Sequence, residues 1–206
     1  VRIRCDVERI VVERGRVAGV RVNGRTIKCR AVVSNANLKS TILEMVGEQH
    51  FDRQFLDDAR AVRLNNSSTQ VYMALQEGDL IEESTGDLLF SSTAREFRTD
   101  LLLSRDITSR TFSFYYPRTR PKTRPRCFVV SSTNARYEDW AGLTPEDYEA
   151  SKRDLIETTL DALEKYVPNC RQRIVHAEAA TPVTFQHYTK HVAGASFGTK
   201  FEGLAV

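Results

Sequence analysis

Two short turns near the amino terminus constrain this chain most. Residues Val7-Glu8-Arg9-Ile10-Val11-Val12-Glu13 are rich in β-branched side chains, and so are Arg16-Val17-Ala18-Gly19-Val20-Arg21-Val22. Arg14-Gly15 stands between the two runs, and Asn23-Gly24 follows the second. Asn-Gly between extended runs is the strongest short hairpin signal, because a type I′ turn needs positive φ at both central residues. The spacing predicts a meander of strand, turn, strand, turn, strand. Val1-Arg2-Ile3-Arg4-Cys5 also reads as extended. Ala31-Val32-Val33 is too continuously apolar for a half-exposed strand. It is expected to enter a sheet covered on both faces and to end in the small residues Ser34-Asn35-Ala36.

After Ala36 the period becomes helical. Asn37 can cap, Leu38, Ile42, Leu43 and Val46 share a face, and Gly47 is a stop. Phe51, Phe55, Leu56 and Ala59 predict a second short helix. From Ser67 the period shortens again. Ser68–Leu75, Asp87–Phe90, Asp100–Leu103, Thr111–Tyr116 and Arg126–Ser131 predict a mostly antiparallel sheet of about five strands. In the fourth of these, Phe112, Phe114 and Tyr116 share one face and Tyr115 takes the other. One face is core, and the other suits the lining of an apolar tunnel. Thr144-Pro145-Glu146-Asp147 is the clearest helix start, with a capping hydroxyl, proline at the first position and acids against the macrodipole. Tyr148, Leu155, Ile156, Leu160, Leu163 and Val167 follow with helical spacing, and Pro168 ends the run. Arg173–Ala179 is expected as a returning strand.

The net charge of +3 is too small to argue for nucleic acid. The basic residues concentrate once, at Arg118, Arg120, Lys122, Arg124 and Arg126, among Pro117, Pro121 and Pro125. That pattern reads as a solvated loop; the same charges suit a lip against anionic lipid headgroups. No run approaches the ~20 apolar residues of a membrane span. Cys5, Cys29, Cys127 and Cys170 form no Cys-x-x-Cys pair and lack metal-site spacing. Cys5 and Cys29 can face each other across the meander, but buried free thiols and a reducing compartment are the expectation.

No acid, base and nucleophile set stands out. There is no Gly-x-Ser-x-Gly elbow. His187 and His191 stand four apart, but Tyr188-Thr189-Lys190 between them lacks the glutamate of a zinc-protease motif, so no metal is expected. Thr181-Pro182 should start a helix carrying Phe185, Tyr188 and Thr189. Gly194, Gly198 and Gly203 then form a side-chain-poor stretch that suits close approach to a ring system.

The opening stretch, Val7 to Val20 followed by Val32-Val33-Ser34-Asn35-Ala36, resembles the phytoene desaturase and carotenoid isomerase branch of the flavoproteins. Ser68-Thr69-Gln70-Val71-Tyr72 and Ala180-Thr181-Pro182-Val183-Thr184-Phe185, with Gly194-Ala195-Ser196-Phe197-Gly198, extend the resemblance over nearly the whole chain. It implies an α/β parent in which a substrate domain is inserted into an FAD domain, so that this chain is α+β. Residues 1–36 would be part of the FAD-binding domain, 37–179 the inserted, mostly antiparallel substrate domain with helices, and 180–206 the return to the FAD domain. The chain has no Gly-x-Gly-x-x-Gly between strand and helix, the feature that seats a pyrophosphate. It is therefore expected to be an internal piece carrying an incomplete FAD domain, with FAD held by the parent and not by this piece alone.

In this family the strand equivalent to Val7 meets the adenine end of FAD through its backbone. A turn like Ser34-Asn35-Ala36 passes close to the cofactor. Val7, Ser34, Asn35 and Ala36 are thus cofactor-edge candidates by resemblance. Phe185, Tyr188, Gly194 and Gly198 are candidates for a loop between flavin and substrate. The implied activity is desaturation or isomerisation of a long apolar polyene by hydride transfer to flavin. The implied setting is the cytoplasm, with peripheral contact to a membrane. Two other readings stay open: an amine-oxidase-like flavoprotein with a polar substrate, and a non-catalytic module that binds lipid or a partner.

Overall fold

A computed structural model describes residues 1–82, 85–96, 98–119, 126–196 and 198–200. The chain divides into two compact units. The first contains residues 1–65, 190–192 and 198–200. The second contains residues 66–189 and 193–196.

The first unit opens with the meander. Strands β1 (Val7–Glu13), β2 (Arg16–Val22) and β3 (Arg25–Lys28) pair antiparallel in that order. Both turns are built as the residue types require. Arg14 and Gly15 have φ of 51° and 72°, Asn23 and Gly24 of 49° and 74°. The Glu8 carboxylate accepts the Gly24 N–H at 2.8 Å and fixes the second turn. Ile10 and Val22 are the buried side chains of this sheet, and all of β3 is exposed.

Two expectations fail here. Residues 1–5 form no strand and are exposed, and Arg4 takes a φ of 58°. Residues 31–36 form no strand either, and Val33 is 99% exposed. A continuously apolar strand exists only where neighbours and covering layers hold it, and among the described residues nothing pairs with this run. Asn37 instead draws the chain into a helix. Its side-chain oxygen accepts the N–H groups of Lys39 at 3.0 Å and Ser40 at 3.3 Å.

The turns that follow, Ser40–Gly47, are wider than an α-helix and are π-helical. Helix α1 (Arg53–Ala61) begins at Asp52, whose carboxylate accepts the Phe55 N–H at 2.8 Å. Ile42, Leu56 and Ala59 form a small buried cluster with Leu43 and Phe51 against it.

The second unit is a five-stranded antiparallel sheet. Its strands are β4 (Ser67–Leu75), β5 (Leu88–Ser92), β6 (Ser109–Tyr115), β7 (Phe128–Ala135) and β8 (Ile174–Ala180). They lie in the order β5-β6-β7-β4-β8. The number of strands is as expected, but one member differs. Asp100–Leu103 is not a strand: Leu101–Leu103 form a single 3-10 turn, since three successive leucines offer no period-two alternation. The fifth place is taken by β8, which pairs with β4 from Gln70 opposite Ala180 to Leu75 opposite Ile174.

Helix α2 (Glu138–Ala141) precedes α3 (Pro145–Glu164). The Thr144 hydroxyl accepts the Asp147 N–H at 3.2 Å, as the cap pattern predicts. Leu155, Leu160 and Leu163 of α3, and Val167 beyond it, are buried in one core with Val71, Met73, Phe112, Phe114 and Val129 of the sheet. The helix stops at Glu164, ahead of Pro168. Arg171, in the short helix α4 (Cys170–Arg173), holds Glu157 and Asp161 at 2.6 Å each and ties the end of α3.

All four cysteines are free thiols. Cys127 and Cys170 are buried as expected, whereas Cys29 is half-buried and Cys5 is exposed. Cys5 lies in the stretch that forms no strand, so no layer covers it. Among the described residues no helix is long and apolar enough to cross a membrane. The middle of the basic run, residues 120–125, lies outside the described residues, as do Phe197 and Gly203.

Candidate functional site

The five-stranded sheet has two unlike faces, and pairing assigns every residue to one of them. Phe112 stands opposite Ser131 and Phe114 opposite Val129, on the face covered by α3. Thr111, Ser113 and Tyr115 point the other way, opposite Ser132, Val130 and Phe128. The second face continues through Leu88 and Phe90 of β5 and Tyr72 of β4. An antiparallel sheet with one solvated face normally alternates apolar and polar side chains. Here the solvated face keeps apolar bodies: Phe90 is 74% exposed and Tyr72 41%, with Leu88 and Phe128 also exposed. Such a patch marks a surface that something apolar covers.

At one edge of this sheet sits helix α5 (Pro182–Thr189). Thr181 begins it. Its hydroxyl accepts the Thr184 N–H at 3.4 Å, and the Thr184 hydroxyl accepts the Thr181 N–H at 3.1 Å. Thr181 is also 2.7 Å from the Tyr148 hydroxyl of α3. A hollow of about 520 Å³ opens here, with Tyr72, Tyr148, Glu178, Val183, His187 and Tyr188 in its wall. The Tyr72 hydroxyl donates to the Gln70 side chain. Burial first, then the charge of Glu178 and the field of Tyr115, push its pKa above the ordinary tyrosine value, so it stays a neutral donor.

The loop after α5 is clamped to the start of β4. The Ser67 hydroxyl donates to the Gly194 carbonyl at 2.7 Å, and Ser196 donates its N–H to the Asn66 carbonyl at 3.0 Å. Gly194 has a φ of 57°, and a Cβ there would stand 2.2 Å from the Pro182 carbonyl oxygen. Close approach is therefore required at Gly194, and its neighbour is this chain's own backbone. The roles of Ser67 and Asn66 were not singled out from sequence, since a serine in a strand carries no distinctive pattern.

The other site candidates are placed as follows. Phe185 is half-buried on α5, and Tyr188 is 79% exposed with its ring edge-on to His187 at 4.9 Å. Gly198 belongs to the first unit. Its carbonyl accepts the Asn65 N–H at 3.0 Å and its φ is 72°, with open space where a Cβ would point. Val7 begins the edge strand β1 and is partly exposed. Ser34, Asn35 and Ala36 are exposed, and the Ser34 hydroxyl lies 2.8 Å from that of Thr41. Asn37, next to them, is buried with its side-chain nitrogen unpartnered. His187 and His191 share no helix face, because α5 ends at Thr189 and Lys190 turns to a φ of 59°. Among the described residues no cluster of histidine, cysteine or acidic side chains is placed to hold a metal.

No protein-family model matches the chain. Two chloroplast proteins do, distantly. Over 91% of its length the chain is 22% identical to the prolycopene isomerase of Arabidopsis thaliana. Over 94% it is 21% identical to the prolycopene isomerase of Daucus carota. It spans 31% of the length of each. Among solved structures, an oxidoreductase from Methanosarcina mazei matches 85% of this chain and 36% of its own at 14% identity, with a TM-score of 0.47.

Proposed function

We propose that this chain is the substrate domain, with part of an FAD-binding domain, of a flavin-dependent oxidoreductase that desaturates or isomerises a long apolar polyene. The observation that carries this reading is the open sheet face formed by Leu88, Phe90, Phe128 and Tyr72. A polyene has no polar group to recognise, so its site must be an apolar, aromatic surface kept away from water. The distant similarity to prolycopene isomerases supports a polyene as the substrate class. A substrate of this kind partitions into bilayers, which favours work at a membrane surface.

The residues present fit one end of FAD. β1 is an edge strand of the meander, so its outer backbone groups can meet an adenine. Ser34, Asn35 and Ala36 present small side chains, and the orphaned Asn37 side-chain nitrogen is a donor in want of an acceptor. No strand-glycine-helix turn is present for the pyrophosphate. When bound, the flavin supplies the hydride acceptor. The chain's own residues orient the substrate and exclude water, while the Tyr72 hydroxyl, neutral and donating to Gln70, keeps the rim of the apolar face uncharged.

The test uses the protein made from the whole reading frame that contains this chain. Phe90→Asp and Phe128→Asp should cut polyene conversion by about tenfold or more while flavin absorbance per protein stays unchanged. Unchanged conversion in both variants would remove the open face from the site. The 206-residue chain alone should purify colourless, and a stoichiometric flavin absorbance in it would overturn the division of the cofactor site proposed here.

A further inference from the structure

A second cavity, of about 590 Å³, lies on the other side of the sheet, between it, α3 and the 101–107 segment. That volume suits a small molecule. Its deepest charged group is Arg110. Strand parity puts Arg110 on the same face as Phe112 and Phe114, and it is only 8% exposed. Its guanidinium donates to the hydroxyls of Thr159 at 2.6 Å and Thr158 at 2.9 Å. Those partners are neutral and occupy two of its five N–H donors. Among the described residues no carboxylate forms an ion pair with it. Asp154, which is exposed, acts on it only through its field. A buried cation without a counter-charge is costly and calls for an anion.

A second polar group points the same way. Thr69 of β4 also lines this cavity and is 2% exposed, and its hydroxyl has no hydrogen-bond partner. Leu103, Ile107, Trp140, Leu143 and Leu155 form an apolar part of the wall, and Ser104, Asn134 and Ser151 are among its polar members. The other basic group, Arg105, is already paired with Asp139 at 3.2 Å. Asp106 and Asp154 stand exposed at the wall, where water solvates them.

We infer that this cavity binds a small amphipathic carboxylate, its anionic head held by Arg110 and Thr69 and its apolar body lying against Trp140 and Leu155. A carboxylate matches the planar guanidinium and accepts the idle Thr69 hydroxyl as well. This site lies on the α3 side of the sheet and does not rest on the flavin reading, so either can fail alone.

Trp140 is the only tryptophan in the chain and lines the cavity, so its fluorescence reports occupancy directly. Sodium octanoate should change the Trp140 emission saturably in the 206-residue protein. Octanamide and octylammonium, of equal length, should bind about tenfold more weakly or not at all. Thr69→Val should weaken octanoate by about tenfold, and Arg110→Met should abolish the response with its circular dichroism retained. If Arg110→Met does not fold, Thr69→Val and the two uncharged or cationic probes decide. Equal binding of octanamide would show a merely apolar cavity, and preferred binding of octylammonium would assign it to Asp106 and Asp154. Either result, or the absence of any saturable change, overturns the proposal.

Discussion

The meander and the five-stranded sheet are both antiparallel, and they are held in different ways. In the meander two side chains, Ile10 and Val22, are buried. Its shape comes from two I′ turns and the ladder between them. In the larger sheet, β4, β6 and β7 each send a row of side chains into a core sealed by α3. Phe112, Val129 and Leu163 there are fully buried. Local turn chemistry can thus specify a hairpin unit, but only a covering layer gives a sheet a core.

That contrast breaks most easily at the core. Phe112→Ala should destabilise the second unit by about 3–5 kcal/mol, and Leu160→Ala by about 2–5 kcal/mol, because each leaves a cavity under α3. Phe90→Ala, on the open face of the same sheet, should change stability by no more than about 0.5 kcal/mol. Chemical denaturation midpoints measure all three. A loss at Phe90 matching that at Phe112 would mean that the open face is packed. Removing the Thr144 hydroxyl is a smaller step. Thr144→Ala should cost about 1 kcal/mol by the same measurement, through the orphaned Asp147 N–H.

Sequence legibility follows the same division. Both meander turns, the Thr144 and Thr181 caps and the alternation along β6 were readable because each depends on residues within one turn of the chain. The faces of the large sheet followed from parity, including the apolar open face, once pairing was known. The failures are non-local. Ala31-Val32-Val33 has the composition of a covered strand, but composition does not supply the neighbours that cover it. Leu101-Leu102-Leu103 is apolar enough for a strand but lacks the alternation that a half-exposed strand carries, and none of the three is buried as a covered strand would be. The cofactor-edge and loop candidates were placed by resemblance rather than by local pattern. The structure joins Gly194 to Ser67, 127 positions away along the chain, as well as to the nearer Pro182. Arg110 was legible and overlooked: it stands two residues before Phe112 on the buried parity of its strand.

Val33→Asp sharpens the comparison from the other side. In the 206-residue chain Val33 is fully exposed, so the change should leave the denaturation midpoint within about 0.5 kcal/mol. In the protein from the whole reading frame, an added strand beside residues 31–36 would bury Val33. The same substitution should then cost several-fold more, since an unpaired carboxylate would be buried. Equal, small effects in both proteins would show that this run is never a covered strand.

The cysteines give the gentlest probe, because labelling them perturbs nothing until it happens. The first unit holds Cys5, exposed, and Cys29, half-buried; the second holds Cys127 and Cys170, both buried. Burial, reinforced by the charge of Glu164, raises the Cys170 thiol pKa against the opposing pull of Arg171 and Arg173. Cys170 therefore stays a protonated thiol at mildly alkaline pH, where an exposed thiol begins to ionise and react. Because its folded pKa is raised, its contribution to stability is present below the unfolded thiol pKa and is lost as pH rises through the folded one. Iodoacetamide at mildly alkaline pH, followed by peptide mass spectrometry, should modify Cys5 first and Cys29 more slowly. Cys127 and Cys170 should react only when denaturant opens the core. Rapid labelling of Cys170 in the native protein would mean that the core beneath α3 opens far more readily than its burial implies. It would also erase the distinction between the two units.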